Sequence, residues 1–394
     1  MDGIFLGAGA SYEVGMPLVW EFTDVIRKNI LKRLHTKLFN FHGDEKAKDF
    51  FKGLIEDKTL HYEDMVGLLE EKYLDNELNR EVTHHIILQF IECIQLLLLE
   101  IQGNINLLFK AKVNHYVGLR KILEKKECTY VFSLNHDVVF ESICNHHNIR
   151  FKDGFYHQNT NYSNIANFKC LTAKQIDDDS FDFFKDCDSG FNLIKLHGSI
   201  DMFAVEDKLL FLKVYGDTQC IDGIFNEIRK VENLNISICK RDGLRTANEV
   251  LTFDNDGELQ FLRRSLLSGK HKFQKRFQQI VPVSFMNLFE KRIDKIDCLS
   301  VIGYSFGDKH INEILKNWFE KNNNRKVVVY DPFLTMVPEI FNSNANRVDL
   351  IQGGFTDFCN AFETETNSQL YIENKFLSMI REELRKKIFP RSNI

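Results

Sequence analysis

Three short polar clusters, each directly after a predicted buried strand, constrain the fold of this chain more than any other feature. They are Gly7-Ala8-Gly9-Ala10-Ser11 with Gly15-Met16-Pro17, then Ser133-Leu134-Asn135-His136-Asp137, then Lys195-Leu196-His197-Gly198-Ser199. In an open α/β sheet, ligands bind at the carboxyl ends of the strands, so the three clusters can converge on one site. Glycines suited to phosphates, an Asn/Asp pair and one histidine together indicate a dinucleotide site that performs chemistry.

The remaining pattern supports such a sheet, because short apolar runs alternate with helical segments. The predicted strands cover residues 4–6, 129–132, 192–196, 298–302, 327–330 and, at an edge, 348–351. Continuous apolar strands separated by helices predict an α/β fold with a Rossmann-like, doubly wound parallel sheet and a large helical insertion. We assign 1–20 and 127–360 to the nucleotide-binding core, 21–126 to the insertion and 361–394 to a C-terminal helical extension.

Other stretches are less regular. Residues 150–190 are rich in Asn and Asp and predict loops, and 201–294 yield only a helix near 221–231 and a basic helix within 263–276. A C-terminal helix is predicted over 369–388. The apolar stretch 86–109 is interrupted by Gln and Glu, which indicates a buried or interface helix and not a membrane span.

Composition excludes several classes of function. A net charge of -5 argues against a chain that coats nucleic acid unaided, so no direct sequence-specific nucleic-acid contact is expected. Nine scattered cysteines fit reduced thiols, and a strand that begins at Ile4 leaves no room for a secretory leader. We therefore expect a cytoplasmic protein without membrane contact. No C-x-x-C occurs, which excludes a four-cysteine zinc site built from two such pairs, and no metal ligands are assigned.

The glycine cluster is the candidate phosphate site. Gly7 and Gly9 carry no side chains where a backbone approaches pyrophosphate, but Tyr12 occupies the third glycine position of G-x-G-x-x-G. The loop instead continues to Pro17 before the helix. A tight strand–helix turn without a ligand is the alternative.

Asn135 is the first candidate catalytic residue, because an uncharged amide at a strand end can hold a ribose hydroxyl, a carboxamide or a water. Asp137 fits a ligand contact as well, and the alternative is an Asx turn that caps the helix beginning near Val138, with Asp137 or Asn135 as the N-cap. His136, between them, is expected to point away.

His197 is the second candidate catalytic residue. An imidazole at a strand end titrates near neutrality and can accept a proton from water or a hydroxyl. A buried structural histidine is the alternative, and the adjacent Gly198 favours the catalytic interpretation.

Two later strand ends complete the predicted site. Gly303 and Ser305 follow the strand 298–302 and could meet the second half of a dinucleotide, and Asp308 is the expected N-cap of the next helix. Asp331 could accept bonds from two ribose hydroxyls, or it could cap a helix after Pro332.

In these ordered motifs the chain resembles the sirtuin superfamily, and more narrowly the bacterial sirtuin-like NADases of antiphage defence. The motifs are Gly7 to Ser11 with Gly15 to Pro17, Ser133 to Asp137, Lys195 to Ile200, and Ile302 to Ser305. They frame residues 3–354. The resemblance implies NAD as substrate, with Asn135 and His197 as catalytic residues. The implied cofactor-binding residues are Gly7, Ala8, Gly9, Ser11, Pro17, Asp137, Gly303, Ser305 and Asp331.

The resemblance also bears on the reaction and on partners. Sirtuin deacylases carry a four-cysteine zinc module after the catalytic histidine, whereas here only Cys220 and Cys239 lie between His197 and Cys298. Water is then the expected acceptor and zinc is not expected. A homo-oligomer and a HerA-type DNA-translocating ATPase as partner are also implied. The alternatives are an NAD-dependent protein deacylase or ADP-ribosyltransferase, and a subunit that senses NAD or ADP-ribose without turnover.

Overall fold

The computed structural model describes residues 1–35, 39–124, 127–216, 223–244, 246–266, 280–362, 372–380 and 383. Twelve strands lie within this part of the chain. They are β1 (Asp2–Leu6), β2 (Cys128–Ser133), β3 (Phe151–Lys152), β4 (Phe168–Thr172), β5 (Gly190–Lys195), β6 (Gly198–Val205), β7 (Leu210–Val214), β8 (Glu249–Phe253), β9 (Leu259–Leu266), β10 (Cys298–Ile302), β11 (Lys326–Tyr330) and β12 (Val348–Ile351).

Seven strands form the parallel sheet that the sequence predicts. Their order is β12-β11-β10-β1-β2-β5-β3, and every pairing between neighbours is parallel. The chain builds one half of the sheet from β1 outward through β2 and the other half from β10 outward through β11. The strand order therefore reverses between β1 and β10, which makes this the topological switch point.

Both faces of the parallel sheet are covered. Successive side chains of a strand point to opposite faces. Ile4 and Leu6 accordingly pack in one hydrophobic core, together with the helices before β2, whereas Phe5 packs in the other core. The second core also contains side chains from the segments before β10 and β11. Burial on both faces explains the continuous apolar runs, and the predicted doubly wound Rossmann-like fold is confirmed.

Thirteen α-helices lie among the described residues up to 362. They are α1 (Ala8–Tyr12), α2 (Val19–His35), α3 (Glu45–Glu56), α4 (Tyr62–Asp75), α5 (Arg80–Asn104), α6 (Asn106–Lys112), α7 (Leu119–Ile122), α8 (Val139–His146), α9 (Ala173–Asp177), α10 (Gly223–Asp242), α11 (Ile280–Ile293), α12 (Lys309–Lys321) and α13 (Phe355–Asn360).

The helical block between β1 and β2, from α2 to α7, matches the predicted insertion. Its longest helix, α5, is long and apolar enough to cross a membrane, but 67% of its most apolar window is buried inside the protein. The prediction of a buried helix here is confirmed. The domain boundaries themselves remain a prediction. Of the C-terminal helix predicted over 369–388, residues 372–380 and 383 are helical, and the others lie outside the described residues.

A second sheet, which the sequence did not predict, lies downstream of β3. It has five strands in the order β4-β7-β6-β9-β8, all antiparallel. The prediction of loops over 150–190 is therefore wrong at β3, β4 and α9. The basic helix predicted within 263–276 is wrong at 263–266, which belong to β9, and its remainder lies outside the described residues. The helix predicted near 221–231 is the longer α10.

Candidate active site

The loops after β1 and β10 are pressed together at the switch point. A Cβ on Gly7 would fall 2.5 Å from the carbonyl oxygen of Gly303, and a Cβ on Gly303 would fall 2.4 Å from the carbonyl carbon of Gly9. Gly303 also has φ +61°, in the left-handed region that favours glycine. The amides of Gly7 and Gly9 donate to the carbonyl oxygens of Ile302 (3.0 Å) and Gly303 (2.8 Å). Close backbone packing thus requires these glycines, and their contact with pyrophosphate remains a prediction.

The hydroxyl of Ser11 joins the first cluster to the second. Asn135 Nδ2 donates to Ser11 Oγ over 3.1 Å, and Ser11 Oγ donates to Asp137 Oδ1 over 3.0 Å. All three residues are buried, with exposed fractions of 3% for Ser11, 9% for Asn135 and 7% for Asp137. The pairing of β1 with β2 brings the two loops together, because parallel strands end at the same edge of a sheet.

Asp137 is held by contacts within the protein. Its Oδ1 also accepts from the amide of Val139 over 3.0 Å, but the N-cap of α8 is Val138, so the prediction of Asp137 or Asn135 as the N-cap is wrong. Burial raises the pKa of the Asp137 carboxyl, and the nearby charge of Lys195 acts against that rise. Lys195 Nζ donates to the carbonyl oxygen of Asp137. The loop is therefore fixed through both its side chain and its main chain, and a direct ligand contact of Asp137 remains a prediction.

His197 lies in the two-residue turn between β5 and β6, where the chain passes from the parallel to the antiparallel sheet. Gly198 has φ +75°, which favours glycine and lets the chain turn directly after the imidazole. The ring centroids of His197 and His136 are 6.2 Å apart. The amide of Ile200 donates to the carbonyl oxygen of His136 over 3.0 Å, as does Ser199 Oγ over 3.1 Å.

These contacts join the second and third clusters, so the loop that carries Asn135 touches the turn that carries His197. The expectation that His136 points away is wrong, since its ring lies beside that of His197. Sequence reasoning missed His136 because side-chain direction in a loop does not follow strand alternation.

Asp308 is a second residue whose role at the site the sequence did not reveal. It is the N-cap of α12, as predicted. In addition, His197 Nε2 lies 3.3 Å from Asp308 Oδ2. The capping pattern indicates the first role, whereas the second depends on the position of α12 over the sheet.

The remaining predicted residues border the site from other loops. Ala8 opens α1 and Pro17 precedes α2, both half-buried, and Ser305 is exposed after β10. Asp331 follows β11, and its Oδ1 accepts from the amides of Phe333 (2.7 Å) and Leu334 (3.2 Å). The helix predicted after Pro332 is wrong, because Asp331 caps a turn there. Ser305 and Asp331 lie on one side of β1, whereas Asn135 and His197 lie on the other.

Three lysines and three carboxylates are buried beneath these loops, and we call them the buried charge cluster. They link α8 and the parallel sheet to the antiparallel sheet. Its members are Lys169, Lys195, Lys213, Glu141, Asp153 and Asp201. Lys195 Nζ lies 3.4 Å from Glu141 Oε1, and Lys169 Nζ lies 3.0 Å from Asp153 Oδ2. Through Lys195 the cluster reaches the main chain of Asp137.

A cavity of about 320 Å³ lies apart from these loops, among Tyr130, Phe181, Phe183, Phe184 and Arg292. None of its lining residues is a predicted site residue. Within the part of the chain that the structure describes, no three His, Cys, Asp or Glu side chains are grouped as metal ligands would be. The expectation of a zinc-free protein remains a prediction.

No protein-family model and no curated protein matches the chain. Among solved structures it is similar to Sir2Tm bound to a propionylated peptide, at 10% identity and a TM-score of 0.35, covering 92% of this chain and 91% of that chain. It is also similar to a Sir2 homolog in complex with NAD, at 12% identity and a TM-score of 0.37, covering 95% of this chain and 90% of that chain.

Proposed function

We propose that this protein hydrolyses the bond between nicotinamide and ribose in NAD, giving nicotinamide and ADP-ribose. The observation that carries the proposal is the contact between the loop of Asn135 and the turn of His197 at the carboxyl edge of the parallel sheet. An amide can orient a ribose or a water, and an imidazole can take up a proton. Ser305 and Asp331, on the other side of β1, are the proposed contacts of the adenosine half.

The proposed chemistry needs one base and one orienting group. The electron pair of the bond from C1′ to the pyridine nitrogen leaves with nicotinamide, so the sugar acquires oxocarbenium-like charge that the site must stabilise. Water attacks C1′ and its proton passes to His197, a contribution of about 10²–10⁴-fold from general base catalysis. Asn135 holds that water and the nicotinamide ribose, because its amide donates and accepts without a change of charge.

The other predicted residues are proposed to shape the dinucleotide crevice. Ser11 orients Asn135 directly, and Asp137 acts through Ser11. The glycine-rich turn around Ala8, with Pro17 before α2, is proposed to border the pyrophosphate. Gly303 lies against it across the switch point.

Water is the proposed acceptor because the sequence has no paired cysteines for the zinc module that supports an acyl-lysine groove in sirtuin deacylases. From the resemblance of the motifs we further propose a cytoplasmic, NAD-depleting effector of bacterial antiphage defence. In that role it would act as a homo-oligomer, with a HerA-type ATPase as partner.

The test is to incubate the full chain with NAD, alone and with the products of neighbouring genes, and to follow nicotinamide by chromatography. Asn135→Ala and His197→Ala should each lower nicotinamide release by at least about 10²-fold. The exposed residues Asn323 and His35 supply matched controls, and Asn323→Ala and His35→Ala should retain full turnover.

Three results would contradict the proposal. Full turnover by His197→Ala would remove the assigned base. NAD consumption that requires an acetyl-lysine peptide would indicate a deacylase. Calorimetric binding of NAD or ADP-ribose without nicotinamide release, even with the partner present, would indicate a sensing subunit.

A further inference from the structure

The contact between His197 and Asp308 joins two distant parts of the chain inside the protein. His197 Nε2 lies 3.3 Å from Asp308 Oδ2, with 6% of the imidazole and 16% of the carboxylate side chain exposed. Such limited exposure weakens competition from water for this contact. A second titratable ring, that of His136, lies beside His197 at a centroid distance of 6.2 Å.

Asp308 is anchored independently of His197. Its Oδ1 accepts from the amides of His310 (3.0 Å) and Ile311 (3.3 Å), which caps α12. Its own amide donates to Tyr304 Oη over 3.2 Å, and Tyr304 Oη in turn donates to Asn312 Oδ1 over 2.9 Å. With Oδ1 and the main chain fixed in this way, Oδ2 is held toward the imidazole.

A cap alone does not account for this arrangement. Serine, threonine and asparagine cap helices about as well as aspartate, and capping occupies a single side-chain oxygen. Capping does not require the second oxygen of Asp308. That oxygen faces His197, the imidazole that the proposed reaction uses.

We infer that Asp308 is a positioning residue that sets the orientation and tautomer of His197. The negative charge of the carboxylate, 3.3 Å from Nε2, favours the tautomer with its proton on Nε2, so the lone pair of the neutral ring lies on Nδ1, the atom that takes the proton from water. The catalytic part of this inference rests on the proposed function, whereas the tautomer can be measured without turnover.

Asp308→Asn separates the two roles of this side chain. The amide oxygen of asparagine can still accept from the two α12 amides, so the cap is preserved. Its NH₂ group then takes the place of Oδ2 and offers a donor to Nε2. The imidazole should respond by moving its proton to Nδ1, which removes the base from the substrate side.

The experiment uses full-length protein with ¹⁵N-labelled histidine, in which the His197 signals are those lost in His197→Ala. The ¹⁵N shifts should show the Nε2–H tautomer in the parent protein and the Nδ1–H tautomer in Asp308→Asn. With NAD as substrate, kcat should fall about 10²–10⁴-fold while KM changes less than about threefold. Asp44→Asn is the matched control, since Asp44 caps α3 by accepting from the amide of Ala47, and it should change neither readout.

The outcomes separate this inference from the proposed function. Unchanged ¹⁵N shifts in Asp308→Asn, or an Nδ1–H tautomer in the parent protein, would overturn the inference whatever the activity. A tautomer change in a protein that never releases nicotinamide would support the pairing and defeat the hydrolase proposal. A rise in KM with unchanged kcat would also overturn the positioning role, because it would place Asp308 in binding.

Discussion

Replacing Lys213 with methionine tests whether the buried charge cluster holds the two sheets together. Lys213 Nζ lies 3.4 Å from Glu141 Oε1, 3.3 Å from Asp153 Oδ2 and 3.5 Å from Asp201 Oδ2. None of these four side chains is more than 3% exposed. With three cations and three carboxylates the cluster is neutral, and Lys213→Met would leave it with one uncompensated negative charge.

The size of the effect follows from this geometry. At an effective dielectric constant of about 20, each attraction is worth about 5 kcal/mol before the cost of removing the charges from water, which cancels most of it. Breaking a buried ion pair by removing one partner costs about 3–5 kcal/mol, a large part of the total stability of about 5–15 kcal/mol. We therefore expect Lys213→Met to lower the free energy of unfolding by about 3–5 kcal/mol in urea titrations followed by circular dichroism.

The loss of free energy of unfolding in Lys213→Met should depend on pH. Burial raises the pKa of Asp201, and Lys213 acts against that rise, so the substitution raises this pKa further. A carboxyl whose pKa is raised in the folded state contributes stability that is present at low pH and lost as the pH rises through the raised value. The free energy of unfolding of Lys213→Met should therefore lie closer to that of the parent at about pH 5 than at about pH 8.

Two further variants test whether the loss of stability comes from the uncompensated charge. Adding Asp201→Asn to Lys213→Met restores neutrality and should recover at least about 1 kcal/mol. Lys230→Met, at a side chain 59% exposed beside Glu227, should cost no more than about 1 kcal/mol. A Lys213→Met deficit no larger than that of Lys230→Met at both pH values would refute the reasoning.

Two other predictions concern the site itself. Gly303→Ala should lower the free energy of unfolding by at least about 2 kcal/mol, because the left-handed φ of Gly303 and the facing backbone both oppose a Cβ. Gly307→Ala is the control, since a Cβ there would meet only Ser305 Oγ at 3.6 Å. Equal melting temperatures for the two alanine variants would contradict this prediction. Ser11→Ala removes the hydroxyl between Asn135 and Asp137, and we expect it to lower the free energy of unfolding by about 1–3 kcal/mol, measured by urea titration. It should also remove most of the nicotinamide release, measured by chromatography. If both stability and nicotinamide release are retained, the hydrogen bonds through Ser11 have no role.

The parallel sheet could be predicted from the sequence because its strands are buried on both faces and therefore contain continuous apolar runs, such as Ile4, Phe5 and Leu6 in β1. The antiparallel sheet could not, because its strands carry buried charges where the pattern suggests surface. Lys169 lies in β4, Asp201 in β6, Lys213 in β7 and Arg264 in β9, each 7% exposed or less. Their partners come from elsewhere in the fold, so local sequence gives no sign that these charges are paired.

The candidate site divides in the same way. The cap formed by Asp308 is a local event and was predicted, as were the strand ends that carry Asn135 and His197. The contact of Asp308 with His197 was not, since it depends on how β5 and β10 are ordered within the sheet. Sequence patterns report which edge a residue occupies, but not which residue faces it across that edge.

The glycine contact between the loops after β1 and β10 sets a limit on how this crevice can change. Main chain lies against main chain there, so the distance between the two loops is set by backbone atoms of Gly7, Gly9 and Gly303. Substitutions in the surrounding loops can change the shape of the proposed crevice, whereas the spacing of these two loops is fixed by the backbone.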